Sequence, residues 1–436
     1  MNHLSTTSSV TKPRRKFLKQ LCAGYTATMA YPAWGTSSIN HRPSLPSAGL
    51  LRSGGNASDE KYWEMVKQQF TVPPHLVMVN AANLCPSPYF INEQVMVDTK
   101  NLATNVSFQN RAKFNEKRKE TLALLAQFLG VGSEEIGITR NTTESNNMVV
   151  NGLDFKPGDE VIIWEQNHPT NGIAWKQRAQ RYGFTVKEIS LPASPYSVDD
   201  LITPFAAAIT SKTKMITFSH ISNVSGIALP AREICQMAKA KGILTLVDGA
   251  QSLGFMDLNL KEMGCDFYTS STHKWLMGPM ENGILYVNKA HMKKLWPHII
   301  GAGWDEHYQT LDEKICMLGQ RNDPSTAALP SILEFHQTIG KKNIENRVRQ
   351  LCTYLKEQIQ THLPQAAFVT PLSPSLSGGV VIISILGKSP KEYFQLLYEE
   401  HGIACASTGG IRFSPHIYNT LQDMDRIVAA LVATSA

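Results

Sequence analysis

The sequence predicts an α/β protein with a mostly parallel sheet in a large domain and a small α+β domain at the C-terminal end. Three observations carry this expectation. Short apolar runs alternate with helical stretches from residue 136 to residue 287, an order that builds parallel strands through helical crossovers. The runs are continuous rather than alternating, as in Ile243 to Val247, which suits strands buried on both faces. Past residue 311 the order changes, with long helices first and few strands.

At 436 residues the chain can bury a large core and is expected to hold two folded units. The expected division is a leader over 1–33, a linker and N-terminal arm over 34–74, a large domain over 75–310 and a small one over 311–436. Net formal charge is +6, but Lys12, Arg14, Arg15, Lys16 and Lys19 stand near the start with no acidic neighbour, and without them it falls to +1. The basic excess is therefore local and gives no support for nucleic-acid binding. The seven cysteines show no CxxC or zinc spacing and read as scattered buried thiols. No apolar stretch after the leader is long enough to span a membrane, so no transmembrane segment is expected.

Residues 11–33 place twin arginines, Phe17-Leu18-Lys19 and a mildly apolar run before small residues at Ala30 and Ala33. That order resembles a twin-arginine export signal. It implies cleavage, a periplasmic location and the export machinery as a partner. The Ser-, Pro- and Gly-rich stretch over 34–58 reads as a linker.

In chain order, Asp59 to Phe70 is expected to form a short helix capped by Ser58, and His75 to Asn80 a strand. Residues 89–129 carry helical spacing, with a long charged helix over Arg111 to Leu129 that Gly130 and Gly132 stop. Ile136 to Thr139 is a strand, and the polar turn Arg140 to Glu144 leads into a helix over Ser145 to Leu153. Such a turn presents backbone N–H groups at a helix N-terminus, ready for an anion or for plain capping. Strands follow at Asp159 to Trp164, Thr185 to Ser190 and Met215 to Phe218, with helices at Lys176 to Tyr182, Val198 to Ile209 and Arg232 to Lys241. In the last part, helices over Leu329 to Ile339 and Asn343 to Leu363 precede strands at Ala367 to Thr370 and Val380 to Ile385. Pro390 to His401 and Met424 to Val432 are further helices.

The chemistry concentrates between residues 243 and 287. Asp248 and Gln251 lie just past the carboxyl end of the Ile243–Val247 strand, where open α/β sheets bind ligands. Farther on come Ser270, Ser271, Thr272, His273 and Lys274. A lysine holds an aldehyde cofactor as a Schiff base. A buried carboxylate keeps a pyridine nitrogen protonated. Hydroxyl and imidazole groups bind a phosphate. Asp248, Ser271, His273 and Lys274 supply each part, and the chemistry they point to is that of pyridoxal 5'-phosphate (PLP).

This string resembles the fold-type I PLP enzymes of the class V aminotransferase group, in the isopenicillin N epimerase-like branch, over roughly residues 75–430. The resemblance implies a fold-type I PLP-dependent transferase and a homodimer with active sites at the subunit boundary. By it, Lys274 is the Schiff-base lysine, Asp248 pairs with the ring nitrogen and Gln251 lies near the ring hydroxyl. Ser271 and His273, with Thr142 and Thr143, contact the phosphate. His168 stacks on the ring, Asn223 bonds its hydroxyl, and Arg412 holds the substrate carboxylate. A Gly-Thr pair reaches the neighbouring subunit's phosphate in that group, and Gln320 stands here in place of the threonine. Cysteine desulfurases carry an Arg-x-Gly-x-x-Cys loop, and the matching span, Cys405 to Gly410, lacks it.

The function expected is that of an exported PLP enzyme acting on an amino acid or peptide amine, by transamination or epimerisation. Exported relatives include the periplasmic PLP enzyme of pyoverdine maturation, so siderophore or peptide maturation follows by analogy. The alternatives are cysteine desulfurase or lyase activity, which the missing loop opposes, and a non-catalytic PLP- or amine-binding protein, which the retained Lys274, Asp248 and Arg412 oppose.

Overall fold

The structure is a computed structural model, and it describes residue 57 and residues 59–435 apart from 196, 303 and 306. The leader and most of the linker lie outside these residues.

The large domain is built on a seven-stranded mixed sheet. After β1 (Val77–Met78), which lies outside this sheet, its strands in chain order are β2 (Ile136–Thr139), β3 (Glu160–Trp164), β4 (Thr185–Ile189), β5 (Thr213–Ser219), β6 (Leu244–Asp248), β7 (Phe267–Ser271) and β8 (Gly283–Val287). The sheet order is β2-β8-β7-β6-β5-β3-β4. The strands from β4 to β7 pair in parallel, while β8 runs antiparallel to both β7 and β2. The continuous apolar run at β6 does what its pattern predicts, since all of that strand but Leu244 is buried, and its neighbours β7 and β8 are buried throughout. Helices cover both faces, as a mostly parallel sheet requires.

The last part is α+β. Strands β9 (Ala367–Phe368), β10 (Val381–Ser384) and β12 (Ile411–Phe413) form an antiparallel sheet in the order β12-β10-β9. Strand β11 (Ile403–Ala404) pairs in parallel with β1, Val77 opposite Ile403. This tie brings the segment from Asn80 to Ala82 beside β12: Asn80 bridges Ser414, and Ala81 N–H donates to the Ser414 carbonyl at 3.0 Å.

Several ends differ from expectation. The first helix is Glu60–Lys67, and its cap is Asp59, which accepts from Lys61 N–H, rather than Ser58. The helix after the polar turn starts at Thr142, capped by Asn141, so Thr142 and Thr143 are its first turn. The helix Pro169–Tyr182 likewise begins earlier, because Pro169 at its first position costs no hydrogen bond.

One glycine is needed for close approach. A Cβ on Gly249 would lie 1.9 Å from the Tyr268 ring. Its absence lets Tyr268 pass beneath the turn that follows Asp248, where its hydroxyl lies 3.0 Å from the Ser252 hydroxyl.

Candidate active site

The named residues lie at or beyond the carboxyl ends of β5, β6 and β7, and several of them meet there from separate elements. Asp248 ends β6 and is buried. Its Oδ1 accepts from Ala250 N–H at 3.1 Å, and its Oδ2 accepts from Asn146 Nδ2 at 2.9 Å. Asn146 is itself fixed, since the Thr269 hydroxyl donates to its Oδ1 at 2.6 Å. Sequence reasoning missed Asn146. Only the packing of helix Thr142–Gly152 against β7 shows that this polar residue supports a carboxylate.

Thr142 and Ser271 meet, although 129 positions separate them. Thr142 N–H donates to Ser271 Oγ at 2.8 Å, and the two hydroxyls lie 2.6 Å apart. The helix N-terminus and the end of β7 thus form a compact patch of donors, suited to a phosphate. Thr143 is exposed on the same first turn.

His273 and Lys274 follow β7. His273 Nδ1 is buried without a partner among the described residues, and burial together with Lys274 pushes its pKa down to about 4. Lys274 is half-buried. Burial lowers its pKa, Asp248 opposes that effect and Arg412 adds to it. A lysine so placed reaches the neutral, nucleophilic amine more readily than a solvated one.

Arg412 lies in β12, buried, and its environment is unusual for a guanidinium. Its two bonds go to neutral oxygens, Nη1 to the Asn223 carbonyl at 3.1 Å and Nη2 to Asn80 Oδ1 at 3.0 Å. Its Nε has no partner among the described residues, and burial lowers its pKa to about 10. A buried cation without a carboxylate partner among the described residues is poised for an anionic ligand.

The remaining residues are placed as follows. Gln251 has both amide atoms engaged, Nε2 donating to the Ala82 carbonyl at 2.9 Å and Oε1 accepting from Trp275 Nε1 at 2.8 Å. Asn223 meets Arg412 through its backbone carbonyl. His168 caps the helix Pro169–Tyr182. Gln320 is exposed and accepts from Arg111. Lys274, His273 Nδ1 and Arg412 Nε, without partners among the described residues and grouped around Asp248 and the Thr142–Ser271 patch, fit a cofactor bearing an aldehyde, a ring nitrogen and a phosphate.

The model of the class-V aminotransferases matches residues 92–427. The chain belongs to the class-V aminotransferase family. This class-V enzyme is 27% identical over 390 residues to the isopenicillin N epimerase of Streptomyces clavuligerus, covering 85% of this chain and 98% of that protein. It is 30% identical over 346 residues to a cysteine desulfurase of Yersinia pseudotuberculosis serotype IB (strain PB1/+), covering 73% of this chain and 83% of that protein. Its fold matches that of the cysteine desulfurase from Thermococcus onnurineus NA1 with a TM-score of 0.76 at 22% identity, over 85% of this chain and 98% of that one. It is a PLP-dependent enzyme of fold type I that acts through a lysine Schiff base.

These comparisons correct the expectation of export. Against the cysteine desulfurases among the relatives, the expected periplasmic location, twin-arginine signal and export machinery as a partner do not stand. The expectation rested on the order of basic, apolar and small residues in a stretch that lies outside the described residues. Nor do the comparisons single out an enzyme of pyoverdine maturation.

Proposed function

We propose that this class-V enzyme breaks the carbon–sulfur bond of a small cysteine-like amino acid, with Lys274 as its Schiff-base lysine. The relatives favour desulfurase or lyase chemistry over aminotransferase or epimerase chemistry. One observation favours the lyase form: all six described cysteines are buried. Burial pushes the Cys405 thiol, in the span matching the desulfurase loop, up to about 12. A thiol held protonated and covered is a poor sulfur acceptor. Sulfur would therefore leave as a free product, as in a lyase, rather than on an enzyme cysteine.

PLP, when bound, draws electrons from the bonds at the substrate α-carbon. The chain's residues do the rest. Arg412 grips the substrate carboxylate and orients the α-carbon. Asp248, steadied by Asn146, holds the proton of the ring nitrogen. Lys274 takes the α-proton at Nζ, its lowered pKa keeping the amine available. The Cβ–S bond then breaks, and its electron pair leaves with the sulfur. Water hydrolyses the remaining fragment to a 2-oxo acid and ammonia. A dimeric assembly and a small amine substrate accord with this reading.

The test is a product assay on L-cysteine and L-cystine. Pyruvate, ammonia and sulfide (from cystine, a persulfide) support the lyase reading. Alanine in place of pyruvate would point to sulfur transfer. The epimerase relative, matched over 98% of its length, supports a second reading. Its mark would be inversion and deuterium uptake at the α-carbon with no loss of sulfur.

Arg412→Lys is expected to weaken substrate binding roughly ten- to a hundredfold while PLP binding persists. A lysine cannot reproduce the guanidinium fork, and a hydrogen bond to a charged partner is worth about 1.5–3 kcal/mol. Comparing KM for the amino acid and for its carboxamide checks this. Equal losses on both would remove Arg412 from the carboxylate role.

A further inference from the structure

His168 has a hydrogen-bond pattern that sets its protonation. The ring caps the helix Pro169–Tyr182, and Pro169 has no N–H to offer. The first donor of that helix is therefore Thr170 N–H, which points at His168 Nδ1 from 3.4 Å. The Thr170 hydroxyl lies 2.8 Å from the same nitrogen. A backbone N–H only donates, so Nδ1 must accept, and the ring proton belongs on Nε2. The hydroxyl can turn to donate as well. His168 Nε2 takes no partner among the described residues.

We propose that Thr170 is a positioning residue of the active site, which fixes His168 as the neutral tautomer with its proton on Nε2, a donor rather than a base. The role assigned to Thr170 rests on the reading of His168 as part of the reacting site. The charged groups around the ring agree with it. Burial lowers the His168 pKa, Asp248 at the end of β6 opposes that, and Lys274 after β7 and Arg412 in β12 add to it. The N-terminus of a fourteen-residue helix further disfavours an imidazolium at that end. The ring thus stays uncharged beside Lys274 and does not compete with it for a proton. It offers a fixed N–H to an acceptor entering the site.

The experiment uses the full-length holoenzyme labelled with ¹⁵N-histidine, with the His168 signals assigned by their loss in His168→Gln. In the unmodified protein Nδ1 is expected to show the shift of an unprotonated nitrogen and Nε2 that of a protonated one. Thr170→Pro removes both donors. It is expected to mix the tautomers and raise the His168 titration midpoint by about one pH unit, a tenfold gain in proton affinity. Thr170→Val keeps the N–H and the shape. It is expected to retain the tautomer while kcat on L-cysteine falls about fivefold, the worth of one neutral hydrogen bond, with KM unchanged. Thr170→Ser should restore kcat. A proton found on Nδ1 in the unmodified protein would overturn the proposal, and so would a Thr170→Pro protein that keeps the original tautomer and midpoint. If the tautomer is as stated and Thr170→Val leaves kcat intact, the Thr170 hydroxyl does not position His168 for the reaction, and the role given to Thr170 falls. No turnover of L-cysteine by the unmodified protein would sink the lyase reading alone, since the spectra do not depend on it.

Discussion

Lys274→Ala is expected to abolish turnover while leaving a folded protein that still binds PLP without a covalent link. The lysine is half-buried, and its ammonium makes no hydrogen bond or ion pair with any described residue. Burial disfavours its charged form, and Asp248 only partly compensates. Removing it takes away a poorly solvated cation and no structural contact, so the fold should not suffer. The loss falls on chemistry. A positioned proton-transfer group contributes about 10²–10⁴ in rate, and here the same residue is assigned the covalent link to the cofactor as well. The measurement is a pair. Borohydride reduction and peptide mapping of the unmodified protein should place a pyridoxyl group on Lys274. The alanine variant should then release its PLP on denaturation after the same treatment. Label on another lysine would overturn the assignment.

How much of this was legible beforehand depended on whether a residue's meaning is local. Strands β3 and β6 were readable as apolar runs, and β2, β3, β4 and β6 lie within one residue of their expected ends. Asp248, Ser271, His273 and Lys274 were readable because they stand in one string at strand ends. Arg412 and His168 needed a family resemblance, since a lone arginine or histidine has no local signature. Asn146 and Thr170 were not readable at all. Each acts on a residue brought near by the fold or by the first turn of a helix whose start was placed too late. Strands β11 and β12 were missed for another reason. They are two and three residues long, too short for a period of two to appear, and are set by what they pair with. Gln251 shows the opposite effect: its position past a strand end was read correctly, but packing commits both its amide atoms to Ala82 and Trp275.

The same distinction governs a second large effect, loss of the active form in acid. The chain just beyond Lys274 is held from the C-terminal part by two buried histidines. His416 Nε2 donates to the Trp275 carbonyl at 2.7 Å, and its Nδ1 accepts from Ile417 N–H at 2.7 Å. His336 Nε2 donates to the Leu276 carbonyl at 3.1 Å. The His416 arrangement requires a neutral ring, because its Nδ1 accepts, and the His336 Nδ1 is buried with no partner among the described residues to take up a second proton's bond. Burial lowers the pKa of His416 to about 4, against the pull of the Trp275 carbonyl, and that of His336 to about 3, aided by His416. The loop they hold is not relaxed: Met277 and Glu281 both sit in the left-handed region, at φ of 58° and 61°, which side chains other than glycine adopt at a cost. Since both folded values lie below the unfolded value of about 6.5, the unfolded chain binds more protons as pH falls. The stabilisation is complete above pH 6.5 and is lost on descent from there toward about pH 4. Each histidine accounts for about 1.4 kcal/mol per pH unit in that window. Descent through that window therefore lowers stability by an amount that matters against a marginal total. Urea denaturation of the holoenzyme at pH 7.0 and 5.0, followed by PLP absorbance and tryptophan fluorescence, measures the loss. His416→Gln keeps an amide donor for the Trp275 carbonyl but cannot take up a proton. It should be less stable than the original at pH 7, because the fit is poorer, and should lose about 1.4 kcal/mol per pH unit less on acidification. An unchanged pH dependence in that variant would show that His416 is not one of the groups that acid titrates.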